Sequence, residues 1–459
     1  MRRATSPTVR LLLAAMMVSL LAGCGAVPTR APAPPPVVQD PAIAQAAQLA
    51  REATFLSGPA RSQAETRIGA LLSQLDDATL AREAAALADG DPFYNYVGRA
   101  LLRRGLPLPR PFDRPQWQFD AGNRPPADSD GYRPPVRLAV LLPLSGDLAT
   151  AASPVRDGLL AGYYGERRRR PEIEFIDTHG TAGGTLSAYD RAVAEGHDFV
   201  LGPLGRDEVD ALFGRGTLQV PVLALNRGSV APPPGNASFA LSPEDEGAAA
   251  ADYLLERGAR RVLAVGGESD TQQRAIAAMR ERLAEGGGVV TDVVGARTED
   301  FALFAQKEGG VDAVFLAVRG EDAHGVVPKL AMAGLAGKPR VATSQLLSGT
   351  GDPARDSVLD GIAFPTIAWN NRSVRGLPSL DRAAATLPTA KGGGARLFAF
   401  GFDAWLLTAY LEHLALAADG RVEGATGTLR IDGFGHVQRT PAWSTFIGGR
   451  QVPLAGAER

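Results

Sequence analysis

Between residues 42 and 106 the apolar positions recur at helical spacing. Ala42, Ala46, Leu49, Ala53 and Leu56 fall on one face in steps of three and four, and Gly58-Pro59 ends that helix. Ala64, Ile68, Leu71 and Leu75 repeat the pattern. Asp77 as N-cap predicts a third helix, with Leu80, Ala84 and Leu87, stopped by Gly90. Asp91-Pro92 opens a fourth, lined by Phe93, Val97 and Leu101. The result is a small all-α unit of helical hairpins. Its helix starts repeat weakly near the tetratricopeptide length without that repeat's usual signature, so a repeat and a plain four-helix cap both fit.

From Val136 the pattern changes to short apolar runs separated by amphipathic stretches. Val136–Leu142 is nearly all apolar, as a strand buried on both faces requires. Strands over Glu172–Asp177, Phe199–Leu201 and Val220–Leu225 follow, with helices over Pro154–Tyr164, Ser187–Glu195 and Asp207–Phe213 between them. The rhythm then restarts, with helices over 244–257, 271–285, 301–306 and 325–333 and strands over 261–265, 289–294, 313–318, 340–343 and 362–365. Strands alternating with helices mean parallel βαβ units. The fold class expected is α/β, a bilobed domain of two doubly wound parallel sheets over 136–459 with a cleft between them. Residues 107–135, rich in proline and aspartate, read as an interdomain linker that docks through Trp117 and Phe119.

The amino terminus follows neither pattern. Arg2, Arg3 and Arg10 precede an apolar run over Leu11–Leu20, too short for a membrane-spanning helix. Leu21-Ala22-Gly23-Cys24 then resembles the bacterial lipobox, in which cleavage before the cysteine frees its thiol for acylation. Cys24 is the one cysteine of the chain, which rules out internal disulfides and cysteine-rich metal sites. Residues 1–23 thus read as a lipoprotein signal peptide. Residue 25 is glycine and not the aspartate that resembles an inner-membrane retention signal, so the expected address is the periplasmic face of the outer membrane. Residues 24–41 read as a lipidated cysteine with a stiff proline-rich tether. The net charge of -2 argues against nucleic-acid binding.

The segment from Val136 to Leu454 looks like the type I periplasmic-binding-protein fold, and Pro143-Leu144-Ser145-Gly146 is similar to the start of branched-chain amino-acid receptors. The tail is more specific. Leu397-Phe398-Ala399-Phe400-Gly401-Phe402-Asp403-Ala404-Trp405, then Gly424–Leu429, then Asp432-Gly433-Phe434-Gly435-His436-Val437, then Trp443 and Phe446 resemble the C-terminal domain of LpoA-type penicillin-binding-protein activators. That resemblance implies an outer-membrane lipoprotein that docks on a class A, bifunctional penicillin-binding protein and stimulates peptidoglycan transpeptidation. The helical unit here is shorter than the superhelix of the best-known members. The alternative is a lipid-anchored periplasmic solute receptor.

The cleft residues at the carboxyl ends of the strands are Ser145, Gly146, Asp147, His179, Asn226, Arg227, Glu268 and Asp270. Arg227 could hold an anion, or it could pair with Asp147 or Glu268 and lock the lobes. No GxSxG, HExxH or P-loop pattern occurs, and the five histidines (179, 197, 324, 413, 436) are far apart in sequence. Carboxylates such as Glu244-Asp245-Glu246 sit at a helix start, where the helix dipole favours them. The expectation is a non-enzyme without cofactor or metal.

Overall fold

A computed structural model describes residues 40–56, 58–113 and 124–454. The lipobox with Cys24, and Trp117 and Phe119 of the linker, lie outside the described residues.

Helices Pro41–Ala53, Gly58–Ser73, Asp77–Ala86 and Pro92–Arg103 form the amino-terminal unit. Ile43, Ala46, Ile68, Leu72, Leu80, Phe93, Val97 and Leu101 close its core. Two details differ from the expectation. Gly58 opens the second helix. The cap of the third helix is Asp76, whose carboxylate accepts from the Thr79 N–H at 2.9 Å. A cap must reach the N–H three residues on, and Asp76 stands at that distance. Asp77 pairs instead with Arg104 at 2.9 Å. Arg104 also donates to the carbonyls of Leu72, Ser73 and Leu75, so one guanidinium closes the end of the second helix and ties the hairpins together.

The first lobe is a parallel sheet of β1 (Arg137–Leu142), β2 (Glu172–Asp177), β3 (Phe199–Leu201), β4 (Val222–Ala224) and β5 (Ala237–Ser238), ordered β2-β1-β3-β4-β5. Leu138 lies between Ile173 and Phe199 in this register, so the apolar run of β1 is buried along its length. The second lobe holds β6 (Arg261–Gly266), β7 (Val289–Gly295), β8 (Ala313–Ala317) and β9 (Arg340–Ala342), ordered β7-β6-β8-β9 and also parallel. A third, antiparallel sheet follows: β10 (Phe364–Thr366), β11 (Val422–Glu423), β12 (Gly427–Ile431), β13 (Val437–Ile447) and β14 (Arg450–Pro453). β10 was expected among the parallel strands. It pairs antiparallel with β13, and Ala363 alone bridges to Val341. Pro365 has no N–H and cannot sit in an interior strand laddered on both sides. β13 runs from the core of the first lobe at Val437 to that of the second at Trp443 and Phe446, so it ties the lobes.

The Gly392–Leu416 helix is apolar around its circumference and crosses the Ala149–Gly165 helix at close range. A Cβ on Gly158 would stand 1.9 Å from the Phe398 carbonyl oxygen, and one on Gly401 1.9 Å from that of Val155. Backbone meets backbone there, and no larger residue fits. The Ala149–Gly165 helix starts before Pro154, where sequence placed its beginning. A proline in the second turn removes one helical hydrogen bond and is absorbed by packing against the long helix.

Candidate functional site: a cleft filled from within

The loops after β1 and β2 bring three polar side chains together. Ser145 Oγ donates to Asp177 Oδ2 at 2.7 Å and lies 2.8 Å from His179 Nδ1, and that nitrogen is 3.1 Å from the same carboxylate. A nucleophile relay needs its two partners on opposite imidazole nitrogens. Here both face Nδ1, so this is not a triad. Asp177 also accepts from the N–H groups of Leu144 and His179 and organises both loops. Gly146 at φ 79° and His179 at φ 54° complete the turn. His179 and Asp147 are exposed.

The remaining predicted residues scatter. Asn226 donates to the Leu204 carbonyl at 2.8 Å and accepts from the Arg227 N–H. Asp270 opens the Asp270–Glu285 helix and pairs with Arg274, and Glu268 is exposed. Arg227 meets neither Asp147 nor Glu268 among the described residues. It pairs with Asp245 at 2.7 Å and donates to the Val437 carbonyl. Asp245 lies in the first turn of the Pro243–Glu256 helix, which packs in the second lobe directly after the chain leaves β5. The shortest route across the hinge thus supplies the partner.

A stronger lock went unread in the sequence. Glu246, 4% exposed, accepts from the N–H (2.9 Å) and hydroxyl (2.8 Å) of Ser344 and pairs with Arg396. Arg396 also donates to Ser344 Oγ at 2.6 Å. Arg396 belongs to the Gly392–Leu416 helix packed on the first lobe, while Glu246 and Ser344 belong to the second. The Gln272–Gln345 hydrogen bond at 3.0 Å lies beside them. These side chains leave a void of about 40 Å³. Ligand sites for small molecules run from about 300 Å³ upward. The acidic run 244–246 does begin a helix, as read, but each member also holds an arginine: Arg274, Arg227 and Arg396.

Two other clusters are internal as well. Glu174, Glu195 and His197 bring ligand atoms within 4.8 Å of one another, but Arg191 pairs with both carboxylates. In the basic run 167–170, Arg168 binds Glu166 and Asp130 and lies 3.6 Å over the Tyr132 ring, holding residues 128–133 against the first lobe.

The 432–437 motif is where the helical unit meets the bilobed domain. Asn95 donates to the Gly433 carbonyl, Tyr96 packs on Phe434 at 4.7 Å, and Arg99 lies 3.7 Å over the same ring. Below that turn His436 Nδ1 is 2.8 Å from Ser238 Oγ on β5. Burial pushes the imidazole pKa down to about 4, against the opposing pull of Asp432. The folded protein therefore resists a proton that the unfolded chain accepts near pH 6.5. That contribution to stability is complete above pH 6.5 and disappears as pH falls toward 4, about 3 kcal/mol in all. Denaturant unfolding of wild type and His436→Gln should show their stability difference shifting against wild type by that amount between pH 7.5 and 4. A pH-independent difference would contradict the burial.

A family model described as "LppC putative lipoprotein" matches residues 132–297 and 290–449. The penicillin-binding protein activator LpoA of Vibrio vulnificus is 28% identical over 348 residues, covering 67% of this chain. The chain spans 57% of the length of that relative. Among solved structures, the C-domain of Haemophilus influenzae LpoA (YraM), a regulator of PBP1A, superposes with a TM-score of 0.60 at 23% identity, covering 70% of this chain and all of that domain. A "putative branched-chain amino acid ABC transporter" from Chromobacterium violaceum superposes with a TM-score of 0.56 at 29% identity, covering 68% of this chain and 100% of that one. The two superpositions share the parallel bilobed architecture described above, and the family model spans the described lobes nearly end to end: the chain belongs to the LppC putative lipoprotein family.

Proposed function

We propose that this protein is a non-catalytic, lipid-anchored regulator that binds a class A penicillin-binding protein and raises its transpeptidase activity. The observation that carries this reading is the filled cleft. Arg396, Glu246 and Ser344 bridge the two lobes and leave only a small void between them, which favours a rigid docking module over a receptor. The relatives named as penicillin-binding protein activators supply the class of partner. Acylation of Cys24 would hold the chain on the inner leaflet of the outer membrane, and the proline-rich tether would carry the folded part toward the synthase. The loops bearing Ser145, Asp147, His179 and Glu268 are exposed and would be available to a partner. Docking raises activity by binding the active conformation of the synthase more tightly than the inactive one. No helix among the described residues is long and apolar enough to cross a membrane.

The test is peptide cross-linking on lipid II by a class A synthase from the same bacterium, with and without the full chain in detergent. A several-fold rise is expected. No binding and no rise would sink the proposal for that synthase. A branched-chain amino acid raising the melting temperature would then favour the receptor.

A further inference from the structure

A cavity larger than the void in the cleft lies elsewhere. It lies between the Pro92–Arg103 helix, the second-lobe helices Pro243–Glu256 and Asp270–Glu285, and strands β12 and β13, with a volume of about 430 Å³. That is within the range of small-molecule sites. Trp443, stacked on Tyr253 at 4.7 Å, gives one apolar wall.

The charges of its lining are unequally satisfied. Asp245, Asp252 and Glu285 are each held by an arginine, at 2.7, 2.6 and 2.9 Å. Three further arginines line the same cavity without a close carboxylate. The side chains of Arg103, at the exposed edge of the cavity, and of Arg430 show no hydrogen bond or close ion pair among the described residues, although Arg103 feels the charge of Glu285. Arg439 gives one N–H to the Thr426 carbonyl at 3.3 Å. Asp252 and Glu285 share Arg282, and seven arginines face six acids in the lining, so its net charge is +1. Burial, helped by neighbouring arginines, holds the Arg430 and Arg439 guanidinium groups below their ordinary range, and the more distant carboxylates do not offset it. Guanidinium forks that converge on a cavity match the oxygens of carboxylates and phosphates.

We propose that this cavity binds a small multivalent oxyanion, a di- or tricarboxylate or a diphosphate, held by Arg103, Arg430 and Arg439 against the Trp443 wall. Because Arg103 comes from the helical unit and the other two from the bilobed domain, the ligand fastens one to the other. The inference is independent of any synthase.

Citrate and inorganic pyrophosphate would each be titrated into the full chain in detergent by calorimetry and thermal shift, with sodium chloride at matched ionic strength as the blank. One of them is expected to bind saturably with one site per chain and to raise the melting temperature, and which one does so separates carboxylate from phosphate recognition. Arg103→Gln combined with Arg430→Gln should weaken that binding by about tenfold or more. Neither side chain makes a hydrogen bond or close ion pair with the protein, so the variant should melt close to wild type without ligand. Arg280→Gln, at an exposed position outside the cavity, should bind normally. No saturable binding of either anion, or undiminished binding by the double variant, would overturn the proposal.

Discussion

Asp403→Ala should lower the stability of the folded chain by about 4 kcal/mol at pH 7.5. Asp403 is fully buried in the long helix, in the middle of the motif that carries the family resemblance. Its carboxylate accepts from the Ala425 N–H at 2.5 Å, the Thr426 N–H at 2.8 Å and the Thr426 hydroxyl at 2.6 Å. Alanine would leave three buried donors without an acceptor, each costing about 1–3 kcal/mol less whatever relaxation recovers. The loop packs closely on the carboxylate: a Cβ on Gly424 would stand 2.5 Å from it. Denaturant unfolding measures the loss directly, and a drop below about 1 kcal/mol would mean that water replaces the carboxylate.

The same residue makes a second, separable prediction through pH. Burial pushes the Asp403 carboxyl up to about 6, and the three donors pull it back only in part. The unfolded chain ionises near pH 3.8 and the folded one near 6. Relative to Asp403→Asn, wild type should therefore lose stability as pH rises from 4 to 6, by about 3 kcal/mol, and hold level above. His436 acts with the opposite sign over nearly the same window, so wild type alone should look flat there while each single variant uncovers the other residue's slope.

These residues also mark what the sequence could and could not reveal. The Phe400-Gly401-Phe402-Asp403-Ala404-Trp405 run was legible as a family signature, yet its physical content is tertiary. Gly401 admits the Val155 carbonyl and Asp403 caps a loop more than twenty residues away. The parallel strands were legible because β1, β3, β6 and β8 are buried on both faces and need continuous apolar runs. The antiparallel sheet was not. Thr428 and Arg430 alternate with buried Leu429 and Ile431, but Gly, Asp and His punctuate the segment and hide the alternation. For the cleft, Ser145 and His179 were named from strand ends, while their meeting at the Asp177 carboxylate was not foreseen. The Arg396–Glu246 pair was invisible, since partners 150 residues apart in sequence carry no signal of an ion pair.

That invisible pair gives the second large effect. Arg396→Ala should cost about 3 kcal/mol, because it strands the Glu246 carboxylate in a site where 4% of the side chain is exposed. The Ser344 N–H and hydroxyl still reach that carboxylate, which keeps the loss at the lower end for a broken buried pair. If the cost comes from the unpaired charge, removing the charge should relieve it. Glu246→Gln with Arg396→Met should then recover most of the stability, and the coupling in the double-mutant cycle should exceed about 1 kcal/mol. The single variant also frees the lobes at the cleft while Arg227–Asp245 and β13 still tie them at the hinge. Small-angle scattering should then report a larger radius of gyration for Arg396→Ala, and cross-linking stimulation should fall if docking needs the locked form. A variant as stable and as compact as wild type would show that the lobes are held by the hinge alone, and the filled cleft would lose its weight as an argument for a docking module.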